Sequence, residues 1–177
     1  GIITVEPGLR IGDLLSIIMP HNWVLVGLSG SVNDAIGGML ASNTHGKDTW
    51  KNGNFSQNVI SFKILFANGT TKEIRKDNES KLFNSIVGGL GFLGLITEIT
   101  LKLKPIPSYM VEHKLQRIPN FETLVDFFIH LKKMGLNMHM RYLIRFPLKK
   151  IWVKAQQIHV DSLTNKTVLM KNSKNIL

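Results

Sequence analysis

Apolar positions along this chain switch between a period near two and a period near 3.6, and the switch points divide it into strands and helices. Residues 2–5 form a short apolar run that predicts a strand, and Pro7-Gly8 follows as a turn. Leu9, Leu14, Leu15 and Ile18 recur at helical spacing, so a helix is expected there, with Pro20 stopping it. Residues 59–67 read as a strand, Asn68-Gly69 as a two-residue hairpin turn, and residues 71–75 as the returning strand. A short helix over 79–87 would bury Leu82, Phe83, Ile86 and Val87 on one face. The run Ile-Thr-Glu-Ile-Thr-Leu-Lys-Leu over 96–103 predicts a half-buried strand, closed by Pro105 and Pro107. Another strand is expected over 111–117. Pro119-Asn120 then caps a helix with Phe121, Leu124, Val125, Phe128 and Leu131 facing inward. The whole is an α+β pattern.

Composition narrows what such a fold can do. With 177 residues, 44% of them hydrophobic, the chain can bury one sizeable core. No apolar run approaches the roughly 18 residues of a membrane span, and no signal-peptide pattern opens the chain. The expectation is a soluble protein with no transmembrane segment, cytoplasmic or peripheral to a membrane. Cysteine is absent, which excludes disulfides, thiolate nucleophiles and cysteine-based zinc sites. The chain opens in a strand without an initiator Met or a cap, so it is expected to start inside a larger protein.

The net charge of +10 points toward an anionic partner, but its distribution weakens that idea. Residues 1–110 hold ten Lys/Arg against eight Asp/Glu, whereas residues 132–177 hold ten against Asp161 alone. In that C-terminal part, Lys132, Lys133, Arg141, Arg145, Lys149, Lys150 and Lys154 interleave with Tyr142, Phe146 and Trp152. This is the composition of a fragment that binds RNA, DNA or acidic lipid. No nucleic-acid motif accompanies it, so a solvated basic surface is the plainer reading and no nucleic-acid partner is expected.

Residues 35–48 carry the chemistry. Ala35-Ile-Gly-Gly-Met-Leu-Ala-Ser-Asn-Thr-His-Gly-Lys-Asp48 has neither helical nor strand periodicity and is expected to be a loop. Gly37, Gly38 and Gly46 remove side-chain bulk where a flat or phosphorylated ligand can pack on the main chain. Ser42, Asn43, Thr44, His45 and Lys47 supply polar groups beside it. Gly89-Leu-Gly-Phe-Leu-Gly94 matches the dinucleotide fingerprint in spelling, but that motif needs a strand before it and a helix after it, and here the order is reversed. A tight helix-to-strand turn is expected instead. His21, His113, His130, His139 and His159 show no metal-ligand spacing, and no metal site is expected.

The order of these pieces resembles the PCMH-type flavin-binding domain of the FAD-linked oxidases of the vanillyl-alcohol oxidase type. The resemblance covers residues 2 to about 110: the strand ending in Val5-Glu-Pro-Gly8, a helix, the glycine loop, a hairpin, and the glycine turn leading into Leu95-Ile96-Thr97. Ile36-Gly37-Gly38, His45-Gly46-Lys47 and Gly53-Asn54-Phe55 look most like the decaprenylphosphoryl-ribose oxidases, with aldonolactone oxidases more distant.

That resemblance implies a two-lobed FAD domain of which residues 1–108 are the second lobe, a mainly antiparallel mixed sheet with flanking helices. The first lobe would precede residue 1, and residues 109–177 would open a substrate domain. Gly30, Ala35, Ile36, Gly37, Gly38, Ser42, Asn43, Thr44 and His45 fall where the family contacts FAD, mainly through backbone groups. Ile96 falls where a strand edge meets the adenine end. His45 and Lys47 fall beside the flavin on the substrate side and are the catalytic candidates, with Lys47 orienting an anionic or hydroxylated substrate. The implied reaction oxidises a secondary hydroxyl of a sugar-like or polyprenyl-phosphate-sugar substrate and passes electrons to an unidentified acceptor. Residues 141–177 depart from the family's pattern, through a displaced reading frame, a premature stop or divergence.

Overall fold

The computed structural model describes residues 1–110, 112–133, 138–144 and 151–157, with side chains for 1–110, 118–130 and 133. The elements run β1 (Ile2–Val5), α1 (Ile11–Ile18), β2 (Trp23–Val24), α2 (Ile36–Ala41), α3 (Thr49–Asn52), β3 (Val59–Leu65), β4 (Thr71–Arg75), α4 (Ser80–Ile86), β5 (Leu95–Lys102), β6 (Lys104–Pro105), β7 (Glu112–Ile118), α5 (Phe121–Lys133), β8 (Met138–Ile144) and β9 (Ile151–Gln157).

The main sheet has the order β1-β5-β3-β4, and every pairing in it is antiparallel. Ile96, Ile99 and Leu101 of β5, Phe62 and Ile64 of β3, and Ile74 of β4 point to one face, where Ile11, Leu14 and Ile18 of α1, Ile36, Met39 and Leu40 of α2, and Phe83 and Ile86 of α4 cover them. Each such side chain contributes roughly 1.5–3 kcal/mol when removed from water. The Phe62 and Phe83 rings meet at 5.4 Å with a 40° tilt, joining α4 to the sheet. The opposite face is polar: Thr4 and Thr100 share a hydrogen bond of 3.1 Å, and Lys63 pairs with Glu98 at 2.9 Å. Strict alternation breaks where the β3–β5 register shifts between Lys63 and Ile64, which lets Ile96 and Ile99 share one face three residues apart.

The α+β expectation holds, with four local corrections. Residues 36–41 are a helix rather than loop, because Ile36, Met39 and Leu40 stand at i, i+3 and i+4 and all three are buried. Pro20 does not end the chain's helical course; it opens a 3₁₀ turn, Met19–His21, that stops at Asn22 in the left-handed region. The hairpin loop holds three residues rather than two: the Gly69 N–H donates to Phe66 O, the Phe66 N–H donates to Thr70 O, and Gly69 takes φ +82° after the turn. In α5, Asn120 caps through the Thr123 N–H at 2.9 Å and Leu124 is buried, but Phe121 and Val125 are exposed. The Leu131 side chain lies outside those described.

Two strands within 138–157, where sequence indicated only a basic stretch, join β7 in a sheet of order β7-β9-β8. Ile118 and Leu124, flanked by Phe127 and Phe128, form a separate small cluster there. The basic side chains from Lys132 to Lys154, apart from Lys133, and those of His113, His139 and His159, lie outside the described residues. Among the described residues no helix is long and apolar enough to cross a membrane.

Candidate functional site

Helix α2 is held at both ends. At its start the Ile36 N–H donates to Leu9 O (3.0 Å) and the Gly37 N–H to Pro7 O (2.8 Å), fastening it to the turn that follows β1. At its end the Gly88 and Leu90 N–H groups donate to Leu40 O (3.2 Å) and Ala41 O (2.9 Å), so the glycine turn over 88–94 packs on the helix C-terminus. That turn follows α4 and leads into β5, as the reversed order of the glycine motif predicts. Gly91 and Gly94 carry positive φ within it.

These anchors sort the predicted cofactor residues. Ala35 is the extended N-cap of α2 and half-buried, whereas Ile36 is wholly buried and serves as the helix's core anchor. A Cβ on Gly37 would stand 2.6 Å from the Pro7 Cβ, so Gly37 is the point of contact with β1's turn. Gly38 faces the other way: a Cβ there meets nothing within 4 Å. Its carbonyl accepts from the Ser42 hydroxyl at 2.8 Å, and that hydroxyl lies 2.9 Å from the Thr44 hydroxyl. Bare backbone at Gly38 beside two hydroxyls is a surface on which a planar or phosphorylated group can lie. Asn43 adopts φ +44° and receives the Ser56 N–H on its side-chain oxygen.

His45 and Lys47 follow, both exposed. The Lys47 Nζ stands 3.9 Å from where a Cβ on Gly30 would be, so Lys47 and Gly30 are brought together across 17 residues of chain. No ion pair takes Lys47 among the described residues. Ile96 lies apart from this group in β5, its side chain in the core. β1 pairs with β5 only from Ile99 to Lys102, which leaves the backbone edge at Leu95–Glu98 without a strand neighbour on that side among the described residues.

Sequence reasoning missed the residues that hold the site together. Gly27, at φ +61°, packs against the Gly53–Phe55 backbone; a Cβ would come within 2.6 Å of Asn54. Asn58, almost fully buried, exchanges hydrogen bonds with both the N–H (2.9 Å) and the carbonyl (2.7 Å) of Val26. Asp48, 6% exposed, accepts from the Gly27 N–H (3.2 Å) and the Asn52 amide (3.0 Å) on Oδ2, while its Oδ1 has no partner among the described residues. Apart from the Asp48–Asn52 bond, each contact joins segments 21 or more residues apart, which is why no local pattern announces them.

A family model described as an FAD binding domain matches residues 1–75. D-arabinono-1,4-lactone oxidase of Candida albicans is 34% identical over 124 residues, covering 70% of this chain and 22% of that protein. Decaprenylphosphoryl-beta-D-ribose oxidase of Mycolicibacterium smegmatis is 32% identical over 106 residues, covering 59% of this chain and 23% of that protein. Among solved structures, an alkyldihydroxyacetonephosphate synthase superposes with a TM-score of 0.73 at 19% identity, over 89% of this chain and 34% of that one, a likeness of fold. The chain thus spans between a fifth and a quarter of the length of the curated relatives named here. The open backbone at Gly38 and Gly30 fits the cofactor such a domain binds, FAD. Residues 1–75 thus belong to an FAD-binding domain, and the chain has the fold of PCMH-type FAD-binding proteins.

Proposed function

We propose that this chain carries one face of the flavin site of an oxidoreductase that oxidises a secondary hydroxyl on a sugar-like substrate. The supporting observation is the juxtaposition of Lys47 with Gly30; exposed His45 lies two residues before Lys47 in the chain, and bare Gly38 lies on α2, from which that segment leaves. Bound FAD supplies the hydride acceptor for such chemistry. Gly38, Ser42 and Thr44 hold the cofactor's face, Gly30 gives it room, and the open edge of β5 at Ile96 meets its adenine end. Lys47, an exposed ammonium on a flexible stem, orients the hydroxyls or the anionic group of the substrate, and His45 stands beside it.

On this reading residues 1–108 are the second lobe of a two-lobed FAD domain, and residues 109–177 open the substrate domain. Exposed Leu90 and Phe92 on the glycine turn and Leu95 at the start of β5 give a first lobe an apolar face to cover. Two relatives divide the substrate question: a decaprenylphosphoryl-ribose oxidase type, acting on a polyprenyl-phosphate sugar, and an aldonolactone oxidase type. The longer match belongs to the lactone oxidase, 124 against 106 residues, and favours keeping the second reading. The test is a flavin titration of the chain followed by visible absorbance, then turnover of a sugar alcohol against an aldonolactone by the protein with both lobes. Flavin bands and turnover of either substrate support the reading; no flavin bound with both lobes present overturns it.

A further inference from the structure

Gly30, His45 and Lys47 of the proposed flavin site sit on two loops that share no regular secondary structure, so something must fix one against the other. Gly30 belongs to the loop that leaves β2, and His45 and Lys47 to the segment between α2 and α3. The contact between these loops is made at Gly27 and Leu28 on one side and at Gly46 and Asp48 on the other. A Cβ on Gly46 would stand 2.5 Å from Leu28 O, 2.9 Å from Leu28 N and 2.6 Å from Asp48 Oδ1, so backbone meets backbone there with the carboxylate alongside. The Gly46 N–H is itself fixed by the Thr49 hydroxyl at 2.7 Å. Asp48 spans the junction: its Oδ2 receives the Gly27 N–H from one loop and the Asn52 amide from the next turn of the other.

Asp48 is a costly residue to bury without a cationic partner, since a carboxylate away from water needs its lone pairs filled. None of the ion pairs among the described residues includes it, and Oδ1 has no hydrogen-bond partner. Such a group calls for a reason beyond filling the core.

We propose that Asp48 is a positioning residue of the flavin site. It sets the place of the Gly30 loop through the Gly27 N–H, and hence the distance between Gly30 and the Lys47 ammonium. This rests on the flavin-site reading above. Asp48 touches neither cofactor nor substrate in the arrangement described; it acts through the two loops that do.

Two readouts test it on the parent chain, Asp48→Ala and Asp48→Asn. Amide hydrogen exchange in the free chain reports the junction directly. Asp48→Ala should speed exchange at Gly27 by about ten- to a hundredfold, the value of one hydrogen bond to a charged acceptor. Phe62 and Ile99 in the sheet should be unchanged, which also shows that the variant folds. Asp48→Asn keeps an acceptor oxygen and should restore Gly27 protection. FAD titration of the protein with both lobes, followed by flavin absorbance, should then show weakened binding for Asp48→Ala and rescue by Asp48→Asn. FAD bound equally by all three overturns the inference while leaving the flavin site standing. Unchanged Gly27 exchange in Asp48→Ala overturns it as well. Failure of the parent to bind FAD with both lobes present sinks the flavin-site reading and this inference with it.

Discussion

The Gly37 N–H donates to the Pro7 carbonyl at 2.8 Å, and this contact brings the first turn of α2 against the end of β1 with no room for a side chain between them. A Cβ on Gly37 would lie 2.6 Å from the Pro7 Cβ and 3.1 Å from its carbonyl oxygen. Gly37→Ala should therefore destabilise the chain by about 1–3 kcal/mol, the usual cost of overpacking, despite the better helix propensity of alanine. Urea unfolding followed by circular dichroism checks this.

Lys47 is exposed and unpaired among the described residues, so Lys47→Ala should leave stability within about 0.5 kcal/mol of the parent. In the assembled enzyme it should instead lower kcat/KM by about ten- to a hundredfold, the loss of one charge-assisted contact, with bound flavin retained. Steady-state kinetics beside a flavin spectrum separates the two effects. A fall in flavin content with unchanged KM would move Lys47 from the substrate to the cofactor.

Phe92 is 88% exposed on the glycine turn, with Leu90 at 68% and Leu95 at 65%. Phe92→Ser should keep the melting temperature of the isolated chain and reduce its self-association at high concentration, read by size-exclusion chromatography. If a separately produced first lobe covers this turn, it should bind the parent more tightly than the variant.

Lys63 is held above its ordinary value of 10.5 by a hydrogen bond to Glu98 and by attraction to the same carboxylate, with a smaller contribution from Glu73. Its raised pKa means the folded chain holds this proton more firmly than the unfolded one. The stabilisation is fully present below the ordinary lysine value and is lost as pH rises through the raised one. Melting curves of the parent and Lys63→Met should run parallel from neutral pH to about pH 9 and converge in the range above about pH 10. A difference growing with pH would contradict the assignment.

The legibility of the fold follows the strength of local periodicity. β3, β4 and β5 show it because alternation over five to eight residues is long enough to stand above chance, and the hairpin was misjudged by one residue because Gly69 enters the left-handed region after the turn rather than within it. α2 is six residues long with two glycines, and its three core positions become a helical face only once the sheet is there to receive them. β8 and β9 run through basic, mixed sequence whose strand character comes from pairing with each other and with β7. At the site, His45 and Lys47 stand out through the resemblance carried by the His45-Gly46-Lys47 step. The Asp48–Gly27 junction did not, since 21 residues separate its two halves and nothing in either half names the other.

Gly38 tests the central claim most directly, because a Cβ there meets nothing within 4 Å among the described residues, which leaves room for something bound. Alanine in place of this helical glycine should hold or raise thermal stability by up to about 1 kcal/mol. The measurement is an equilibrium FAD titration of the parent and Gly38→Ala, side by side with their melting curves. The account predicts that Gly38→Ala melts no lower than the parent yet binds FAD at least about tenfold more weakly, a cost of about 1.4 kcal/mol within the range of overpacking. Equal FAD affinity in both proteins would contradict a flavin lying on α2.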